Sequence, residues 1–273
     1  MIKMNSIVIV IKELIENRKM IFNLAKYELR MMYAGNTLGG LWLFLNPLIQ
    51  ITLFWVVFGA GIRGGGPVGD TPFIVWLLAG LIPWFNISAC FSSGANSISS
   101  KLVVASKMNF PLSIVPIYTI LSQLAIHGIL LIFVFLSLVI FNVGFDGLNI
   151  IRLIYIVPTT TIFLISLAYI TSTAVSVFKD FNLLISHLTR LFMWLTPIMW
   201  LPLNMTRGIR IMIRVNPIHY MINGYRNAFL YGNVAVEPPN GLDTIYFWLL
   251  VIFMLFLGTK IHVKFRREFI DYL

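Results

Sequence analysis

A chain of 273 residues of which 59% are hydrophobic and 11% charged is an integral membrane protein, since soluble domains carry roughly a quarter charged residues. Its net charge of +10 is dispersed among apolar runs rather than gathered on one basic face, which disfavours a nucleic-acid partner. The single Cys90 lies inside an apolar run, which excludes an intrachain disulfide and a thiolate cluster for a metal.

At the N-terminus, MIKMNSIVIVIK offers a five-residue apolar patch between lysines, shorter than a signal-peptide core. The N-terminus is expected to be retained and cytoplasmic. Further on, Lys19, Asn23, Lys26 and Arg30 recur at helical spacing opposite Met20, Leu24, Tyr27 and Met31. That pattern predicts an amphipathic helix lying in the headgroup plane with its cations snorkelled outward. Gly35, Gly39 and Gly40 supply a bend, so residues 1–40 form an interfacial segment ahead of the membrane domain, 41–263, and a cytoplasmic tail, 264–273.

Apolar runs of about 20 residues predict helices, whereas a barrel would show alternating segments of about 10. Six transmembrane spans are expected, near 41–62, 72–94, 113–141, 150–177, 183–201 and 242–263, giving an all-α integral membrane fold. With the N-terminus inside, thirteen of the Lys and Arg residues fall on the cytoplasmic side. Arg63, Arg152, Arg207, Arg210, Arg214 and Arg226 fall outside, and Arg190 lies within the fifth span. This asymmetry supports that orientation and places both termini in the cytoplasm.

The outer segment 202–240 is predicted as a re-entrant helical hairpin between the fifth and sixth spans. Asn216 can cap and Pro217 can open a helix of roughly 15 residues closing near Gly232, too short to span. Ile218, Met221, Ile222, Tyr225 and Phe229 share one face of it; His219, Asn223, Arg226 and Asn227 share the other. Irregular backbone at that depth requires cover by protein or a watery cavity.

Several residues are candidates for chemistry. No carboxylate lies in the apolar body of a span, which disfavours a proton relay or a cation channel. His187, Arg190 and Trp194 follow helical spacing in the fifth span; Arg190 either lines a path or snorkels to the inner surface, about 12 Å away. Most membrane tryptophans anchor at interfaces, and those beside polar residues, Trp84 near Asn86 and Trp42 near Asn46, are the better path candidates. Gln123 and His127, four apart, read as an interhelical hydrogen-bond pair rather than a ligand site. Pro158 and Pro197 each offer a kink. Outside, Arg207, Arg210, Arg214 and Arg226 suit a phosphate-rich chain, or pair with Glu237 and Asp243.

Three blocks carry a family resemblance: YAGNTLGGLW with the span after it; TPFIVWLLAGLIPW running on to the FP at Phe110; and TRLFMWLTPIMW running on to RVNPIHYMINGYRNAFLYG. In this order, over most of 24–232, they resemble the permease subunits of ATP-binding cassette exporters of lipid-linked polysaccharides. NPLIQITLFWVVFGAGIRGG is more similar to the teichoic-acid branch than to the O-antigen branch. The resemblance implies a flippase-like permease of the bacterial plasma membrane serving cell-wall biogenesis, in two copies beside two ATPase subunits. The chain has no G-x-x-x-x-G-K-[ST] phosphate loop. The resemblance therefore implies that ATP and Mg bind the partner and no cofactor binds here. It also implies that the loop 95–111 seats on the ATPase as a coupling helix, with Ser100, Lys101, Val104 and Lys107 as its surface. Composition alone makes that loop an ordinary turn with topogenic lysines.

Other readings are a drug or small-lipid exporter of the same architecture, a passive channel, and a membrane enzyme acting on polyprenyl-phosphate sugars. The enzyme reading is disfavoured by the scatter of the ten carboxylates and by histidines without ligand spacing.

Overall fold

The computed structural model describes residues 6–32, 34–62, 64–102, 111–201, 205–233 and 236–266. Among these residues there are ten α-helices, and the only β-feature is an isolated bridge between Val68 and Thr71. Helices α1 (Ser6–Glu16) and α2 (Arg18–Met31) precede α3 (Trp42–Phe54), which a 3-10 turn at Gly39–Leu41 introduces and a π-helix at Trp55–Ile62 continues. Then follow α4 (Phe73–Asn96), α5 (Val115–Ile140), α6 (Gly147–Val177), α7 (Phe181–Leu195), α8 (Arg207–Val215), α9 (Pro217–Phe229) and α10 (Gly241–Phe265).

Five of the six expected spans are long apolar helical segments: Gly39–Ile62, Phe73–Asn96, Leu112–Ile140, Gly147–Val177 and Gly241–Phe265. The fifth expected span is shorter than its apolar run. Helix α7 stops at Leu195, because Thr196 precedes a proline and takes extended backbone, φ −87° and ψ 132°, as pre-proline sterics favour. Pro197 thus ends the helix rather than kinking it. Fifteen residues rise about 22 Å, less than the roughly 30 Å of a hydrocarbon core. The segment after it, Thr196 to Met199, is buried against the bundle.

Helix α4 is the axis of the packing, with α5, α6, α7 and α9 all against it. Small residues permit the close approach: a Cβ on Gly94 would meet the Ala168 Cβ of α6 at 3.1 Å, and one on Gly80 would meet the Arg226 guanidinium of α9 at 2.6 Å. Helix α3, by contrast, buries only Leu43 in its α-helical part; its flank is left to lipid or to another chain.

Helix α9 forms where the local signals place it. The Asn216 side chain accepts from the Ile218 N–H at 3.0 Å, and Pro217 opens the first turn. Ile218, Met221, Ile222, Tyr225 and Phe229 are all 1% exposed or less. The expected outer face is corrected at one position: Arg226 is buried too, at 5% exposure.

A second apolar cluster ties the opposite end together. Ile21 and Ala25 of α2 pack with Ile98 and Leu102 after α4 and with Ile114 and Tyr118 at the start of α5. Helix α1, unmarked in the sequence beyond its short apolar patch, lies along α10, and its Glu13 receives the Arg266 guanidinium at 2.7 Å. The buried stripe of α2 is Ile21 and Ala25, while Tyr27 and Met31 of the expected apolar face remain 60% and 51% exposed.

Candidate functional site

Spacing on three helices builds a polar pocket inside an apolar bundle. Asn46 and Gln50 are four apart on α3, and Gln123 and His127 four apart on α5, so each pair shares a helix face. With Asn86 of α4 and Trp42 they line a cavity of about 410 Å³ between the three helices, beside Met32 at the end of α2. Among the described residues its lining contains no Lys, Arg, Asp or Glu.

Hydrogen bonds within the chain leave this lining unsatisfied. Among the described residues Asn46 and Gln50 have no hydrogen-bond partner, and both are exposed. Asn86 accepts only from the Cys90 thiol, at 3.5 Å, and the Gln123 amide reaches only the Met32 sulfur, at 3.9 Å. His127, 1% exposed, meets the Tyr225 hydroxyl of α9 through Nε2 at 3.0 Å, while its Nδ1 has no partner. Amides that open on the cavity without a full set of partners in the chain can donate to and accept from an occupant, so the cavity suits a polar one. As expected of an interhelical hydrogen-bond pair, His127 bonds across to α9 and the Gln123 amide reaches across to Met32; both residues also line the cavity.

The other path candidates separate. Trp42 lines the cavity, whereas Trp84 is 3% exposed and belongs to the packed core; the reading of Trp84 as path-lining is corrected, because its side of α4 faces neighbouring helices. His187 and Arg190 are exposed and Trp194 is 59% exposed. They form an uncovered face of α7, as their spacing predicts, outside the cavity lining.

The external arginines also divide. Arg207 and Arg210 are exposed on α8, and Arg214 pairs with Glu237 at 3.4 Å on the surface. Arg226 leaves this group. Its Nη1 and Nη2 donate to the Pro197 and Ile198 carbonyls at 2.5 Å each, and its guanidinium lies 3.6 Å from the centre of the Trp76 ring. Those carbonyls come from the extended segment after α7, where no helix supplies donors. Arg226 is therefore the brace joining α4, α9 and the chain beyond α7, not a surface phosphate contact. Asn216 helps, donating to the Thr196 hydroxyl at 2.9 Å.

At the opposite end, Ser100 and Lys101 stand in a short 3-10 turn, Ser99–Lys101, directly after α4; Val104 and Lys107 lie outside the described residues. The Glu28 carboxylate of α2 accepts from the Thr119 hydroxyl of α5 at 3.3 Å, with Lys101 near enough to act on it through space. Burial holds the Glu28 carboxyl above its ordinary range, opposed by Lys101 and the Thr119 hydrogen bond. The loop start and the interfacial helix are thus joined by the apolar packing of Ile21 and Ala25 on Ile98 and Leu102. Sequence reasoning missed Glu28 because an isolated acid in a basic segment reads as solvated. It missed Asn86 and Gln50 as partners of Gln123 because they meet only when three helices close. Among the described residues no group of His, Cys, Asp or Glu has the geometry to hold a metal.

Comparison with known proteins adds to this geometry. The family model described as ABC-2 type transporter matches residues 20–230. The chain is 24% identical over 265 residues to an O-antigen export system permease protein RfbA of Myxococcus xanthus, covering 96% of this chain and 98% of that one. It is 23% identical over 250 residues to an RfbA permease protein of Klebsiella pneumoniae, covering 90% and 92% respectively.

Proposed function

The chain belongs to the ABC-2 type transporter family, and from that premise we propose that it is the permease subunit of an ATP-driven exporter carrying a lipid-linked cell-envelope polysaccharide, of O-antigen type, across the bacterial plasma membrane. The observation that carries this reading is the end-to-end similarity to two permeases named for O-antigen export. It accords with a bundle whose buried polar side chains, Arg226 apart, are neutral amides, hydroxyls and imidazoles rather than carboxylates.

With no phosphate loop in the sequence, ATP and Mg bind a separate ATP-binding cassette subunit. A second copy of the permease covers the exposed flank of α3 and the His187, Arg190 and Trp194 face of α7, and the polymer passes at that seam. Helix α7 together with the buried segment after it makes the sixth crossing, so both termini are cytoplasmic and α8 and α9 form the external re-entrant hairpin. Ser100 and Lys101, leading into the 103–110 stretch, receive the ATPase stroke, and the contacts of α2 with this turn pass it to the interfacial helix.

A second reading, export of a teichoic acid, is favoured by one feature: Arg207 and Arg210 are exposed on α8 without a carboxylate partner among the described residues, as a phosphate-rich chain would require. Deletion of the gene followed by chemical analysis of surface glycopolymer tests both. Loss of a neutral polysaccharide supports the O-antigen type, loss of a phosphate-linked polymer the teichoic type, and normal surface polymer removes the exporter reading. Co-purification with an ATPase whose hydrolysis rises with lipid-linked polymer is the matching biochemical result.

A further inference from the structure

Resting on that exporter reading, we propose that the cavity between α3, α4 and α5 is a recognition site for a neutral sugar ring, hydrogen-bonded by Asn46, Gln50, Asn86 and Gln123 beside the Trp42 ring. Four primary amides, each a donor and an acceptor, match hydroxyls that also donate and accept. The absence of any cation from the lining among the described residues disfavours phosphate, which draws Arg or Lys. A hydrocarbon tail is disfavoured as well, since it would cover the Asn46 and Gln50 amides, which have no partner among the described residues, without pairing them.

Size and position agree. About 410 Å³ falls in the range of small-molecule pockets, roughly 300–1,000 Å³. The cavity lies toward the α2 end of the bundle, lined by Met32 and by the first turns of α3. A headgroup sugar held by a lipid in that leaflet would meet it before any deeper part of the chain. The site would therefore select on sugar identity at loading, separately from the phosphate of the carrier.

The test is saturation-transfer NMR on the full-length protein in lipid nanodiscs. Methyl glycosides of glucose, galactose, mannose, rhamnose and N-acetylglucosamine are the probes, with glycerol phosphate and inorganic phosphate alongside. At least one neutral glycoside should take up saturation. The Asn46→Leu/Gln50→Leu pair, on an exposed helix flank where folding tolerates it, should weaken that glycoside by about tenfold or more. Gln123→Leu, at a side chain whose amide reaches only the Met32 sulfur, should weaken it by about fivefold with an unchanged melting curve. Silence of every glycoside, unchanged binding in these variants, or tighter binding of glycerol phosphate than of any glycoside overturns the proposal. Failure of the exporter reading is distinguishable, because it shows as normal surface polymer in a deletion strain. Failure of the sugar site alone shows as silent glycosides together with wild-type export by the double variant.

Discussion

Arg226→Met removes the guanidinium from the interior while keeping most of its volume, so its cost reports the brace itself. The substitution leaves the Pro197 and Ile198 carbonyls without their donors, at about 1–3 kcal/mol for each buried unsatisfied group. It also forfeits the stack over Trp76, worth about 2 kcal/mol when desolvated. Relief from burying a charge offsets part of this loss, which leaves a net destabilisation of about 2–5 kcal/mol. At roughly 2–4 °C per kcal/mol for a chain of this size, the melting midpoint should fall by about 5–15 °C. The assay is tryptophan fluorescence of the purified protein in detergent, with wild type and variant heated at one scan rate because membrane proteins commonly unfold irreversibly. Arg226→Lys should not rescue, since an ammonium lacks the planar fork that reaches both carbonyls and stacks on the ring. A midpoint within about 1 °C of wild type for Arg226→Met would refute the brace and return Arg226 to the external surface.

Gly80→Ala places a methyl against the same guanidinium, 2.6 Å from Nη2, and should cost about 1–3 kcal/mol by overpacking; combined with Arg226→Met the two effects should be less than additive in a double-mutant cycle of melting midpoints. Glu28 has a carboxyl held above its ordinary 4.5 by burial, so the fold favours its neutral form. The stability this lends is complete below 4.5 and is lost as pH rises through the raised value. Melting midpoints measured across that interval should therefore decline with pH in the wild type and decline less in Glu28→Gln. Arg207→Gln with Arg210→Gln should slow export of a polyanionic polymer more than of a neutral one, measured as surface polymer against time, and equal slowing of both would remove the phosphate role of α8.

Much of the architecture was legible because it depends on neighbours in sequence. An apolar run of sufficient length makes a membrane helix wherever it lies, which is why five spans match their expected positions. The Asn216–Pro217 start of α9 is equally local: a side chain that caps the second residue onward and a ring that has no N–H to lose. The spacing of His187, Arg190 and Trp194 also sufficed to place them on one face of α7. In the fifth expected span the helix ends before its apolar run does, because hydropathy counts Thr196 to Leu201 as apolar while the backbone restriction before Pro197 stops the helix inside that run.

The amino-acid order thus determined that this is a multi-span helical membrane protein with no phosphate loop of its own, and where most of its helices begin. Only the tertiary structure decided which polar groups are surface and which are interior. Arg226 is polar by composition, but Trp76 and the Pro197 and Ile198 carbonyls, distant in sequence, converge on it and make burial tolerable. Asn46, Asn86 and Gln123 look like isolated interruptions of three apolar helices until packing around α4 brings them to one cavity. Local patterns specify helices through backbone hydrogen bonds between near neighbours. Which faces those helices cover depends on contacts between residues far apart in the chain.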